Sequence, residues 1–535
     1  MIKNEYRRQG GVSYDGNRAE FYGLGHQGRK HVFCHHQGQV LSGLILSYSH
    51  FMKHLFNITR CFVAIGLILL GAPSLTAQTK PILKAYPAPA SVPQNTDFTV
   101  KVRMPGQPWQ DLPEYAVMVD RVKGLDHSVE KASMAYFDFS GAVEISVQFN
   151  KGAISTSRIR PLSYHIPNKV SGRTITFKLE KPANLSVEVN GDLFHNLHLF
   201  ANPVETFIPD STDKNVVFFG PGLHEIPKGK LKVLSGKTVY VAGGAVLKGQ
   251  ILIDKVENVK VLGRGMIDHS IKGAIKIANS KNIEIDGLFG TQCFTGGSDN
   301  VTIRNFKCMS YYKWGDGMNV ISSNNVLIDG VFNRNSDDCT TVYGTRLGFT
   351  GGCKNVTMRN STLWADVAHP ILIGTHRNTP RPEVLENLSY INIDILDHKE
   401  PQVDYQGCMS INAGDSNLIR NVRFEDIRVE DFREGQLVNL RVFFNPKYCT
   451  SPGRGIENVL FKNVSYHGKN AKPSIILGYD DQRKVKNIVF EDLRLNGVLF
   501  SDDMPGKPAW FKTSDMAGMF VGDHVDGVIF RRTGK

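Results

Sequence analysis

Between residues 80 and 205 apolar and polar residues alternate over short runs: Phe98–Arg103, Val143–Phe149, Thr174–Leu179 and Leu185–Val189. Period-two alternation broken by turn residues predicts half-buried antiparallel strands. Several such strands within one stretch, with no amphipathic helix, point to a β-sandwich. After Pro203 the pattern changes, and a seven-residue phrase keeps returning. It reads Glu257-Asn-Val-Lys-Val-Leu-Gly, Lys281-Asn-Ile-Glu-Ile-Asp-Gly, Asn324-Asn-Val-Leu-Ile-Asp-Gly and, near the end, Lys486-Asn-Ile-Val-Phe-Glu-Asp. Its asparagine falls at Asn258, Asn282, Asn300, Asn325, Asn355, Asn387, Asn421, Asn458 and Asn487.

A unit that recurs at such intervals is a solenoid, with longer gaps where loops are inserted. Each phrase alternates inward apolar and outward polar residues, so each is one strand of a coil. The asparagine accepts the left-handed backbone of a tight turn and can hydrogen-bond its neighbours in a ladder. Short, β-branched phrases exclude a helical solenoid, and the leucine-rich frame is missing. The expected fold is all-β: an N-terminal β-sandwich over 79–205, followed by a right-handed parallel β-helix over 206–535. The longest gaps lie between about 305 and 450, where loops raised over one face would wall a binding groove.

Residues 61–72, CFVAIGLILLGA, form an apolar run preceded by Lys53 and Arg60 and followed by small, polar residues to Gln78. This is the layout of a secretory signal over 52–78, too short to span a bilayer comfortably. It makes residues 1–51 an over-extended start and the mature protein exported, either periplasmic or secreted, with no stable membrane insertion. The formal charge is +12, but no basic cluster with interleaved aromatics forms a nucleic-acid stripe. Six cysteines follow the leader (Cys293, Cys308, Cys339, Cys353, Cys408, Cys449) without metal-ligand spacing. They read as buried small residues, with one disulfide, Cys339–Cys353, conceivable in an oxidising compartment. No phosphate loop or strand–helix alternation suggests a nucleotide cofactor. Neither a metal nor a partner subunit is required by the pattern, so a cofactor-free monomer is expected.

Chemistry concentrates in two adjacent coils. Trp314-Gly-Asp-Gly-Met-Asn319 and Asn335-Ser-Asp-Asp-Cys-Thr340 bring Asp316, Asp337 and Asp338 together, because stacked coils set equivalent positions about 4.8 Å apart. Crowded carboxylates raise at least one pKa, and glycoside hydrolysis needs one protonated acid beside a carboxylate that activates water. The same carboxylates could also serve a turn or hold calcium. The next coil supplies Ala368-His-Pro-Ile-Leu-Ile-Gly-Thr-His-Arg377, with His369, His376 and Arg377 as candidate substrate contacts. Trp314 and Tyr343 could stack on sugar rings.

These residues resemble the β-helical glycoside hydrolases: polygalacturonases (family 28), and dextranases and isopullulanases (family 49). Gly315-Asp316-Gly317, Asp337-Asp338-Cys339 and Ala368-His369-Pro370 are similar to successive polygalacturonase motifs. The resemblance implies that Asp337 is the general acid, that Asp316 and Asp338 activate water, and that the anomeric centre inverts. Ser410-Ile411-Asn412 stands where the family's Arg-Ile-Lys would grip a galacturonate carboxylate, leaving Asn412 only a neutral sugar contact. With the sandwich-then-helix layout, this resemblance implies a neutral polysaccharide, an α-glucan such as dextran or pullulan, and the leading expectation is an endo-acting hydrolase. The alternatives are a hydrolase of acidic or decorated glycans, a silent carbohydrate-binding β-helix, and a lyase.

Overall fold

The computed structural model describes residues 80–534 apart from Leu125 and 377–379. The leader, the region before it and Arg377 therefore lie outside the described residues. Two sheets make up the N-terminal region. One pairs Gln110–Leu112, Phe98–Arg103, Val143–Phe149, Thr174–Leu179 and Asn168–Ser171. The other runs Ile82–Ala85, Asp126–Ser140, Leu197–Pro203, Ala183–Val189 and Ser157–Arg160, with Tyr115–Lys123 paired to Asp126–Ser140. Val100, Val102, Ile145, Val147 and Ile175 of the first sheet share one buried core with Phe137, Phe139, Leu185, Val187 and Leu199 of the second. The sheets thus form a sandwich.

From Val216 to Arg531 strand follows strand in one continuous parallel β-helix, each coil pairing in register with the next. Its interior is a column of Val, Ile and Leu. Five aromatic rings stack through successive coils, Tyr390, Phe424, Phe461, Phe490 and Phe530, with centroids 4.7–5.4 Å apart. This is the strand spacing expressed in side chains. The phrase asparagines sit at a left-handed corner, with φ between 53° and 58°. Asn282 donates to Asn258, Asn355 to Asn325, Asn387 to Asn355, Asn421 to Asn387, Asn458 to Asn421 and Asn487 to Asn458, at 2.9–3.3 Å. The disulfide does not form. Cys339 and Cys353 are free and buried, and the Cys353 thiol donates to the Tyr343 carbonyl at 3.1 Å.

The sandwich docks on the coil through the outer face of its second sheet. Tyr115, Val117, Met134, Tyr136 and Phe200 pack against Met309, Phe332, Trp364 and Leu396 of the coil. Buried charges cross the same seam: Asp138 pairs with Arg264 at 3.1 Å, and Arg160 with Glu430 at 2.7 Å. Arg334, paired with Asp366 at 2.8 Å, also donates to Asn196 of the sandwich. Among the described residues no helix is long and apolar enough to cross a membrane.

Candidate active site

The register of the coils decides how the aspartates meet. Met318 pairs with Thr340, and Thr340 with Ile371. Carried two residues back, this stacks Asp316 on Asp338 and Asp338 on His369, at one corner of three successive coils. Asp337 lies one residue off that column. Asp316 and Asp337 are 21 residues apart in the chain, but the offset between these strands, Met318 to Thr340, is one residue longer. Gly317 permits the close approach, since a Cβ there would collide with the Cys339 carbonyl and the Asn335 side chain. One carboxylate oxygen from each of the three aspartates lies within 4.8 Å of the others.

The environments of the three differ. Asp338 is buried. Its Oδ1 accepts from the His369 backbone N–H at 3.1 Å and faces His369 Nδ1 at 2.7 Å, while its Oδ2 accepts from the Tyr343 hydroxyl at 3.2 Å. His369 Nε2 faces the Tyr405 carbonyl at 2.5 Å, so both ring nitrogens point at acceptors and the ring is held as an imidazolium. Burial would push the Asp338 pKa up, but the His369 charge and hydrogen bonds outweigh it and hold the carboxyl below its usual range. Burial lowers the His369 pKa in turn, and Asp338 more than restores it. Asp337 is pushed well up by burial and by the charges of Asp316 and Asp338. Asp316 is pushed up to about 7 by burial and Asp338, with Asn319, which donates at 2.7 Å, and Arg346 opposing. The corner therefore offers one fixed carboxylate, one protonated acid and one group that titrates near neutrality.

These aspartates open into a cleft of about 790 Å³. Of the predicted contacts, Trp314, Tyr343 and His376 line it. Trp314 is 68% exposed at the rim. Three lining residues, Trp314, Ala368 and His376, hold positive φ values of 62°, 62° and 89°. Such local strain tends to collect at functional sites. His369 and Asn412 are not among the lining residues. His369 is fully buried beneath Asp338, and Asn412 is fully buried and donates to Ser410 at 2.8 Å. A hydrogen bond to substrate is not available to either as they stand.

The sequence reading missed much of the wall. Arg346, whose guanidinium sits 4.7 Å from the Tyr343 ring centroid, comes from a short hairpin after the Asp338 coil. Lys399, Glu400, Gln402 and Tyr405 come from one later loop, Lys447 and Tyr448 from another. Val122, Gly124 and His127 belong to the sandwich hairpin, tied to the coil where Lys399 donates to the Val122 carbonyl. The long gaps between phrases signalled that loops would be there, but not which side chains they would turn inward. Nothing in the alternation of 115–140 marks its hairpin as part of a site.

Residues 248–505 match the family model described as glycosyl hydrolases family 28. No curated protein sequence matches the chain. Among solved structures, Dex49A from Penicillium minioluteum is similar in fold, with a TM-score of 0.50 at 14% identity, covering 82% of this chain and 96% of that one. The family 28 exopolygalacturonase of Yersinia enterocolitica aligns with a TM-score of 0.46 at 11% identity, over 73% of this chain and 96% of its own. The family model spans every coil from which the three carboxylates project, and this chain is a β-helical glycoside hydrolase.

Proposed function

We propose that the enzyme hydrolyses a polysaccharide with inversion, and that the division of protons among the three aspartates carries this reading. Asp337, kept protonated, gives its proton to the departing glycosidic oxygen. Asp316, one oxygen of which accepts from Asn319, receives a proton from water. Asp338, fixed as an anion by His369, orients that water and balances the charge that develops on the sugar. The nearest carboxylate oxygens, within 4.8 Å, are closer than the roughly 6.5–9.5 Å of a two-carboxylate inverting pair. Inversion therefore rests here on a water held jointly by Asp316 and Asp338, and the anomeric configuration of the first product tests it. Retention would make Asp316 a nucleophile.

A neutral α-glucan is the substrate this reading favours, because Ser410 and Asn412, at the positions that resemble the carboxylate-gripping pair, are uncharged and buried. A second reading, an acidic or decorated glycan, draws on Arg346, Lys399 and Lys447 in the cleft wall. Incubation with dextran, pullulan and polygalacturonate separates them. Saturated oligosaccharides from a neutral glucan support the first. Salt-sensitive cleavage of polygalacturonate alone supports the second. Asp337→Asn should cut turnover by about 10²–10⁴-fold while the coil stays folded by circular dichroism; a loss under about tenfold removes Asp337 from the role of acid.

A further inference from the structure

An open groove along a β-helix would leave the outward side chains of successive coils exposed on either side of the catalytic corner. Here they are covered. Met409, Ile411, Val438 and Leu440 point into the core, so Ser410 and Asn439, which alternate with them, point away from it. The register joins Phe294, Asn319, Thr341, Leu372, Ser410 and Asn439 into one outward column across six coils. None of the six is more than 8% exposed.

The roof over the later coils is aromatic. Tyr405 and Phe443 pack in one cluster with Leu372 and Tyr343. Tyr405 stacks on Tyr448 at 4.6 Å between centroids. Gln402 joins the two loops, its Oε1 accepting from the Tyr448 hydroxyl and from Lys447 Nζ, each at 3.2 Å. Toward the earlier coils Phe349 closes over Phe294. On the opposite flank of the corner, the neighbouring face of the coil is already occupied by the sandwich through Met309, Phe332, Trp364 and Leu396. The sandwich hairpin supplies the remaining wall.

We propose that the cleft is a blind pocket that admits only the end of a glycan chain, so that the hydrolase is exo-acting rather than endo-acting. Its volume of about 790 Å³ lies within the roughly 300–1,000 Å³ of pockets that enclose a small ligand. A continuous polymer bound across the aspartates would have to pass through the Tyr405–Tyr448 stack or through the sandwich. The mode of attack rests on the hydrolytic reading above; the closure of the cleft does not, and the test treats them separately.

Closure is read by thiol accessibility in the full-length folded protein, with the unsubstituted protein as blank, since its described cysteines are buried. Leu347→Cys, at a rim position 69% exposed, should react with Ellman's reagent at the rate of a free thiol. Ser410→Cys and Asn439→Cys should react at least about 100-fold more slowly until the protein is denatured, as expected of sites reached only by local opening. Comparable rates at all three positions would overturn the blind pocket. Mode of attack is read on dextran, pullulan and polygalacturonate. Short products of one size with little loss of viscosity support chain-end attack, and a ladder of intermediates with a rapid fall in viscosity overturns it. No turnover of any probe, with Ser410→Cys still protected, counts against the hydrolytic reading and leaves the closed cleft standing.

Discussion

At the scale of single residues, the site works by making three identical side chains unequal. Asp338 receives a cation and three hydrogen-bond donors, whereas Asp337 receives burial and two like charges. His369 is the residue that sets the difference, although it does not line the cleft. His369→Gln keeps an amide that can donate to Asp338 but removes the charge. The Asp338 pKa then rises: below the limb that Asp316 sets near pH 7, log kcat/KM falls one decade per pH unit and steepens to two where Asp338 also takes a proton, and that break moves upward. An opposite charge at this range is worth about 1–3 pKa units, and a shift of that order is expected. An unmoved break, or a slope that stays at one decade per pH unit throughout, would show that the Asp338 charge is not required. The aspartates and His369 were legible in the sequence because one motif per coil falls at one corner of the helix. Arg346 was not, because a loop residue turned into a cleft carries no periodic signal.

At the scale of the element, each coil phrase is a strand between two corners. The first corner holds the phrase asparagine, and its ladder was readable from recurrence alone. The second corner was not singled out, yet Asn305, Asn360, Asn392, Asp426 and Asn463 all have positive φ there. Asn392 donates to Asn360 at 2.8 Å and Asn463 to Asp426 at 2.6 Å, forming a second, interrupted ladder. It escaped notice because glycine serves at Gly287 and Gly330, which hides the recurrence. Asn421, at φ 56°, separates the two contributions of such a corner. Asn421→Ala loses its bonds to Asn387 and Asn458 and also places an alanine in the left-handed region, which costs about 1–2 kcal/mol. Asn421→Gly loses the bonds alone, each worth about 0.5–1.5 kcal/mol or less at this exposed site. Thermal unfolding should therefore rank wild type above glycine and glycine above alanine. Alanine equal to glycine would mean that the ladder, not the backbone, is what asparagine supplies.

For the whole molecule, the instructive failure of the sequence is the seam between sandwich and coil. Asp126–Ser140 and Leu197–Pro203 are covered on both faces over much of their length, and a strand covered on both sides loses the alternation that would announce it. The seam also holds Lys307, whose ammonium donates to Asn202 of the sandwich at 2.6 Å and to the Asn305 carbonyl at 2.8 Å. Burial, with Arg264 adding to it, lowers the Lys307 pKa to about 7 despite Asp138 and Asp286. In the unfolded chain a lysine keeps its proton to about 10.4. Between these values the unfolded state binds more protons than the folded one, so this group makes the fold more stable as pH rises. The gain approaches about 1.4 kcal/mol per pH unit near the middle of the window. Buried thiols act in the opposite sense above about pH 8.5, because burial raises the pKa of groups such as Cys308 and Cys353. The comparison must therefore be a difference. Urea unfolding of wild type and Lys307→Met at intervals from pH 6.5 to 9.5 isolates Lys307, since the thiol contribution is common to both. The stability of wild type relative to the variant should climb with pH across that range. A difference that stays level would mean that Lys307 keeps its charge inside the seam, held there by Asp138 and Asp286.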